Sequence, residues 1–143
     1  MIRVLLDTNV VLDYILERAD HNKAAEIFDH LDKGHIEVFV AAITPINVFY
    51  TTRKEKNKDA AQDAVSFLLD AVQFCLTDQT VLQNAFDLGF SDYEDAVQCS
   101  SAIAEGLDAI VTRNTKDFET SPITVFSPAE FLNRILDRSE ESI

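Results

Sequence analysis

The chain has 143 residues, 47% hydrophobic and 26% charged, proportions that fit one compact domain able to bury roughly two-thirds of its unfolded surface and exclude a multidomain reading. Three glycines and three prolines exclude a glycine-rich phosphate loop, a collagen-like repeat and a flexible linker. A formal charge of −13 argues against non-specific nucleic-acid binding through a broad basic surface, so an anionic substrate needs local help.

Ile2-Arg3-Val4-Leu5-Leu6 is a short apolar run, and Asp7-Thr8-Asn9 separates it from Val10-Val11-Leu12, which reads as strand, polar turn and helix. Ala24, Ile27, Phe28 and Leu31 recur at helical spacing, and Gly34 stops that helix. Glu37 to Ala41 reads as a second strand. Thr44-Pro45 then opens a helix expected to reach about Glu55, with Thr44 as its cap. Ala61, Ala64, Val65, Leu68 and Leu69 share one face of a further helix, followed by a third strand within Val72 to Leu76. Asp78 and Asp92 each cap a helix, the second ended by Gly106. Ala109 to Thr112 is the fourth strand, residues 113–119 a polar turn, and Ile123 to Phe126 the fifth strand. Ser127-Pro128-Ala129-Glu130 has capping-box spacing for a last helix. Strands alternating with helices predict an α/β fold, a three-layer α/β/α sandwich on a mainly parallel sheet of about five strands. The domain is expected to span residues 1–136, with residues 137–143 a frayed acidic tail.

In an open parallel sheet the functional crevice lies beyond the carboxyl ends of the strands. Asp7 and Asn9 follow the first strand, Thr44 and Asn47 open the helix after the second, and Asn114 follows the fourth. Asp92 and Asp95, three apart at the start of one helix, share a face that continues through Ala96, Cys99 and Ser100 toward the sheet. Both carboxylates are thus expected to point toward Asp7. Acids brought together resist burial unless a cation is shared among them, and hard oxygen ligands imply Mg²⁺ or Mn²⁺. Such an ion suits phosphodiester hydrolysis without a side-chain nucleophile.

From Leu5-Leu6-Asp7-Thr8-Asn9-Val10-Val11-Leu12-Asp13 onward the sequence resembles a PIN domain, the nuclease fold that includes VapC-like toxins. Thr44-Pro45-Ile46-Asn47 is similar to the family's second motif, Asp92-Tyr93-Glu94-Asp95-Ala96 to its third, and Val111-Thr112-Arg113-Asn114-Thr115-Lys116-Asp117-Phe118 to its fourth. The resemblance implies a metal-dependent endoribonuclease leaving a 5′-phosphate and a 3′-hydroxyl, the toxin of a toxin–antitoxin pair, with an antitoxin partner and a homodimeric habit. It makes Asp7 and Asp95 metal-coordinating acids, with Thr8 or Asn9 shaping the pocket. Two departures stand out. Asn47 occupies a position where the family usually supplies a glutamate, and Asn114 one where it often supplies an aspartate. Asp92 and Asp117 are candidates to compensate, leaving three acids drawn from Asp7, Asp92, Asp95 and Asp117. The alternative reading is a catalytically degenerate PIN domain that binds RNA or a protein without cutting.

Residues 53–58, Arg-Lys-Glu-Lys-Asn-Lys, form the only dense basic cluster and are candidates to grip RNA phosphates, with Arg113 and Lys116 better placed within the fourth motif. Thr112 in that motif joins the expected substrate contacts. His21, His30 and His35 fit no zinc pattern. Cys75 and Cys99 form no C-x-x-C pair, and no secretion signal or membrane-length apolar run is present, so the expected compartment is the cytoplasm, away from membranes.

Overall fold

The computed structural model describes residues 1–141. The first half of the chain runs β1 (Ile2–Leu6), α1 (Thr8–Ile15), α2 (His21–Asp32), β2 (Ile36–Ala41), α3 (Ile43–Glu55), α4 (Lys58–Ala71) and β3 (Gln73–Cys75). The second runs α5 (Gln79–Asp87), α6 (Tyr93–Ala104), β4 (Ala109–Val111), a 3-10 turn (Thr115–Phe118), β5 (Thr124–Phe126) and α7 (Pro128–Glu141). The strands pair in the order β3-β2-β1-β4-β5, all parallel. The predicted α/β sandwich is therefore the observed architecture, with every strand pairing parallel.

Alternation along the strands explains the layers, because successive side chains point to opposite faces. Val4, Leu6, Val38, Val40 and Val111 bury against one set of helices, meeting Val10, Ile27, Val48, Leu68 and Phe131. Leu5, Phe39, Ala41 and Ile110 face the other way and meet Cys99, Ala102 and Phe118. Each face is thereby covered by helices, as parallel strands joined by crossovers require. Gly106 turns α6 back toward the sheet with φ +70°, while the Gly106 N–H donates to the Ile103 carbonyl at 3.0 Å. A side chain there would be strained.

Local capping follows the sequence in most places. Asp78 accepts from the Val81 N–H at 2.9 Å, and Asp92 from the Asp95 N–H at 3.1 Å. Ser127 and Glu130 exchange both bonds of the capping box, at 2.9 and 3.1 Å. Thr44 differs from expectation. Helix α3 begins at Ile43 after Ala42, and the Thr44 hydroxyl is wholly buried, 2.9 Å from that of Thr8. A partner 36 residues upstream outcompetes the local cap. Helix α7 continues to Glu141, so part of the stretch expected to fray is helical, and residues 142 and 143 of that tail lie outside the described residues.

Strand order reverses at β1, whose neighbours are β2 on one side and β4 on the other. The connection from β1 leads to β2 on one side and that from β3 crosses to β4 on the other, leaving a crevice above the carboxyl ends of β1 and β4.

Candidate active site

Leu6 and Val111 are register partners at the ends of β1 and β4, so the next residues, Asp7 and Thr112, leave the sheet side by side. The Asp7 N–H extends the ladder by donating to the Val111 carbonyl at 3.0 Å. Its carboxylate, 3% exposed, accepts from the Thr112 hydroxyl at 2.8 Å and from the Gln98 amide at 3.1 Å, with a longer contact from the Asn9 N–H at 3.5 Å. Gln98 also accepts from the Thr8 N–H at 3.1 Å. Asp7 is therefore held from three elements before any ligand arrives, and buried polar groups this well paired are rigid.

Around Asp7 opens a polar cleft of about 390 Å³. Thr8 and Asn9 line it from the start of α1, Asn47 and Thr51 from α3, Asp92, Glu94 and Asp95 from the N-terminal turn of α6, and Asn114 and Asp117 from beyond β4. The topology thus brings together the expected Asp7, Thr8, Asn9, Asn47, Asp92, Asp95, Asn114 and Asp117. Asp92 uses one oxygen to cap α6, so its structural and site roles coincide. The Asn114 N–H donates to the Thr112 hydroxyl at 3.1 Å, and the Asp117 N–H to the Asn114 carbonyl at 3.0 Å, which shapes this rim into a tight 3-10 turn.

Three expected substrate contacts, Thr112, Arg113 and Lys116, are absent from the cleft lining. Thr112 is completely buried behind Asp7 and cannot meet a substrate; its hydroxyl instead orients that carboxylate, because the β4 register turns it inward. Arg113 points across to Asp13 and pairs with it at 3.1 Å. Lys116 is exposed on the 3-10 turn and lies outside the cleft lining. Tyr93 donates its hydroxyl to the Leu82 carbonyl at 2.9 Å, tying α6 to α5.

Gln98, Glu94 and Asp13 were not among the expected site residues. Gln98 sits three residues after Asp95, a polar side chain within an otherwise small and apolar buried helical face, and that incongruity was its signal. Glu94 accepts from the Asn47 amide at 2.7 Å across the cleft. Asp13, 1% exposed, is the buried partner of Arg113.

Charge in the cleft is unbalanced. Burial, then the neighbouring Asp7, Asp92, Asp117 and Glu94 carboxylates, push the Asp95 acid up to about 7. Glu94 is also raised, chiefly by desolvation, with the Asn47 hydrogen bond acting against it and Asp92 and Asp7 adding to it. Burial raises Asp13 as well, opposed by the Arg113 guanidinium. Among the described residues, no three His, Cys, Asp or Glu side chains close into a ready-made metal cage. All the acidic donors of the cleft are oxygens, and a hard cation that keeps its water and takes one or two carboxylates suits them, whereas a four-ligand zinc cage does not.

A family model described as "PIN domain" matches residues 3–116 of the chain. No curated protein matches it. Among solved structures, the chain is similar to VapBC2 from Rickettsia felis bound to a DNA fragment from its promoter, with 20% identity, a TM-score of 0.71, and coverage of 88% of this chain and 98% of that one. It is also similar to a toxin–antitoxin complex from Klebsiella pneumoniae, with 23% identity, a TM-score of 0.67, and coverage of 87% and 97%. A third likeness is to Mycobacterium tuberculosis VapC20, described as a Sarcin-Ricin loop cleaving toxin, with 13% identity, a TM-score of 0.64, and coverage of 75% and 86%. At these identities the structural likenesses establish the shared fold.

Proposed function

Because the chain belongs to the PIN domain family, we propose that it is a divalent-metal-dependent endoribonuclease and the toxin of a toxin–antitoxin pair. The observation that carries this reading is the convergence of Asp7, Asp92, Glu94, Asp95 and Asp117 on one cleft at the carboxyl edge of the sheet. Such crowding is costly in water alone and is relieved by a cation. Asp7 and Asp95 would hold Mg²⁺ or Mn²⁺, with Asp92 or Asp117 as a further acid and Asn114 offering a carbonyl oxygen. When bound, the ion supplies a water of lowered pKa and neutralises charge building on the phosphoryl group.

The chain's own residues do the rest. Asp7 is fixed by Gln98 and Thr112, so it needs no reordering when substrate arrives. Asn9, Asn47 and Asn114 present neutral amides to the cleft, able to donate to phosphate oxygens without adding negative charge. Lys116, on the exposed turn beside Asp117, and the basic end of α3 would draw the RNA backbone toward the acids. Water adds to phosphorus as the bond to the 3′-oxygen breaks, leaving a 5′-phosphate and a 3′-hydroxyl.

Partners follow from the same reading. The solved neighbours include toxin–antitoxin complexes, which supports an antitoxin for this chain. Next to the acidic cleft, and sharing Asn47 and Glu94 with it, lies an apolar groove with Ile46, Leu82 and Tyr93 exposed, surface fit for an antitoxin or a second copy in a homodimer. Among the described residues no helix is long and apolar enough to cross a membrane. Cys75 and Cys99 are free and buried, in keeping with the reducing cytoplasm where RNA is found.

The test is cleavage of single-stranded RNA with Mn²⁺ and with Mg²⁺, run beside Asp7→Asn. The reading requires metal-dependent products bearing a 5′-phosphate, lost in the variant. A parent protein that is inert on diverse RNAs with both ions, yet still binds RNA or a protein, would be the degenerate binding module instead.

A further inference from the structure

The second of the chain's four motifs brings a neutral amide to the cleft, since Asn47 is its polar residue there. The structure shows what that amide does. Asn47 on α3 donates from Nδ2 to Glu94 Oε1 on α6 at 2.7 Å, at the short end for an N–H···O bond and typical of one made to a charged acceptor. Both residues line the cleft that holds Asp7 and Asp95. An amide is an apt partner here, because it can orient a carboxylate without discharging it, whereas a lysine or arginine would neutralise the charge a cation needs.

Glu94 is the acid of the cleft whose carboxylate is held by a side chain of α3, on the facing wall. Asp7 already accepts from two buried side chains, and Asp92 is engaged as the cap of α6. Glu94 is bonded through one oxygen, which leaves the other for a ligand, and its side chain is one methylene longer than those of the aspartates. It stands next to Asp95 on the first turn of α6.

We propose, resting on the metal-site reading above, that Glu94 is a carboxylate of the metal site, and that Asn47 is a positioning residue that aims it. The negative charge absent at position 47 is thus delivered to the same part of the cleft from the opposite wall.

The experiment is calorimetric titration of the full chain with Mn²⁺ in about 1 M salt, where the Debye length of roughly 3 Å screens charges that are merely nearby. Glu94→Gln is isosteric and keeps an oxygen able to accept from Asn47, so a purely structural tether between α3 and α6 survives it. The expected result is a loss of at least tenfold in Mn²⁺ affinity for Glu94→Gln. Combining Asn47→Asp with Glu94→Gln exchanges carboxylate and amide across the same contact and should bring the affinity back to within a few-fold of the parent. Asp95→Asn tests the underlying site separately. If Glu94→Gln binds Mn²⁺ as tightly as the parent while Asp95→Asn binds it poorly, the role of Glu94 is overturned and the metal site stands. If the parent itself binds no Mn²⁺ at millimolar concentration, both fall.

Discussion

Gln98 holds the carboxylate of Asp7 through its amide nitrogen at 3.1 Å, and with its oxygen it accepts from the very next backbone N–H, that of Thr8. One fully buried side chain on α6 thereby fixes both the position of the first acid and the entry into α1. Replacing it with leucine fills the space but leaves a buried carboxylate oxygen with only the 3.5 Å contact from the Asn9 N–H, and hydrogen bonds to charged groups contribute about 1.5–3 kcal/mol. Gln98→Leu should therefore lower unfolding free energy by about that amount. Urea denaturation measures it, and a variant as stable as the parent would refute the role.

Asp95 gives the protein a pH dependence of definite sign. Its folded value of about 7 lies above the ordinary 3.8, so the folded state binds the proton more tightly than the unfolded one. Stability from this group is fully present below about pH 4 and is lost as pH rises through 7. Glu94 and Asp13 are raised and act in the same direction, while burial lowers His30, whose contribution runs the opposite way. Thermal melts in chelator should show Tm falling between pH 5 and pH 8 in a His30→Asn background. Adding Asp95→Asn should flatten that fall, and Mn²⁺ should reverse it by binding the folded form.

The Arg113–Asp13 pair ties the turn after β4 to the middle of α1. Asp13 is 1% exposed while the Arg113 side chain is 34% exposed, so removing the arginine strands a buried acid. Breaking such a pair costs about 3–5 kcal/mol when both partners are buried, and the half-open guanidinium places Arg113→Ala near about 3. Adding Asp13→Asn should return part of that loss. A chemical-denaturation double-mutant cycle with no coupling would show the pair to be incidental.

Lys54 lies in the last turn of the helix that carries Asn47 and Thr51 into the cleft, Lys56 caps it and Lys58 opens α4, all three exposed. If RNA runs along α3, changing all three to alanine reduces the slope of log affinity against log salt by about 2, at roughly 0.7 per phosphate contact on a single strand. Filter binding in chelator reads this directly. An unchanged slope assigns these lysines to solvent.

How far the sequence discloses the fold and the cleft depends on the range of the interaction. The strands and most helix caps are legible because their causes are local: an apolar run, an Asp at a helix start, Ser127 and Glu130 three apart. The acids Asp7, Asp92 and Asp95 are legible because strand ends and helix starts say where they emerge. Thr44 and Thr112 are misread for one reason. Each has a local role on offer, cap or cleft wall, and each is taken by a partner distant in the chain, Thr8 and Asp7 respectively. Gln98 and Glu94 escape notice because their significance exists only once α6 lies against β1 and α3.

The parallel order β3-β2-β1-β4-β5 carries a consequence for the birth of the molecule. Asp7 meets Thr112 across 105 positions of chain, and strand β1 acquires its second neighbour only when β4 exists. A nascent polypeptide that has emerged as far as α5 contains Asp7 and Asn47 but neither Gln98 nor Thr112, and its acids stand apart. Loop closure over so long a span makes the joining of β4 to β1 a late step in folding. The cleft that Asp7, Asp92 and Asp95 line is thus kept unassembled through most of synthesis and becomes whole only near its end.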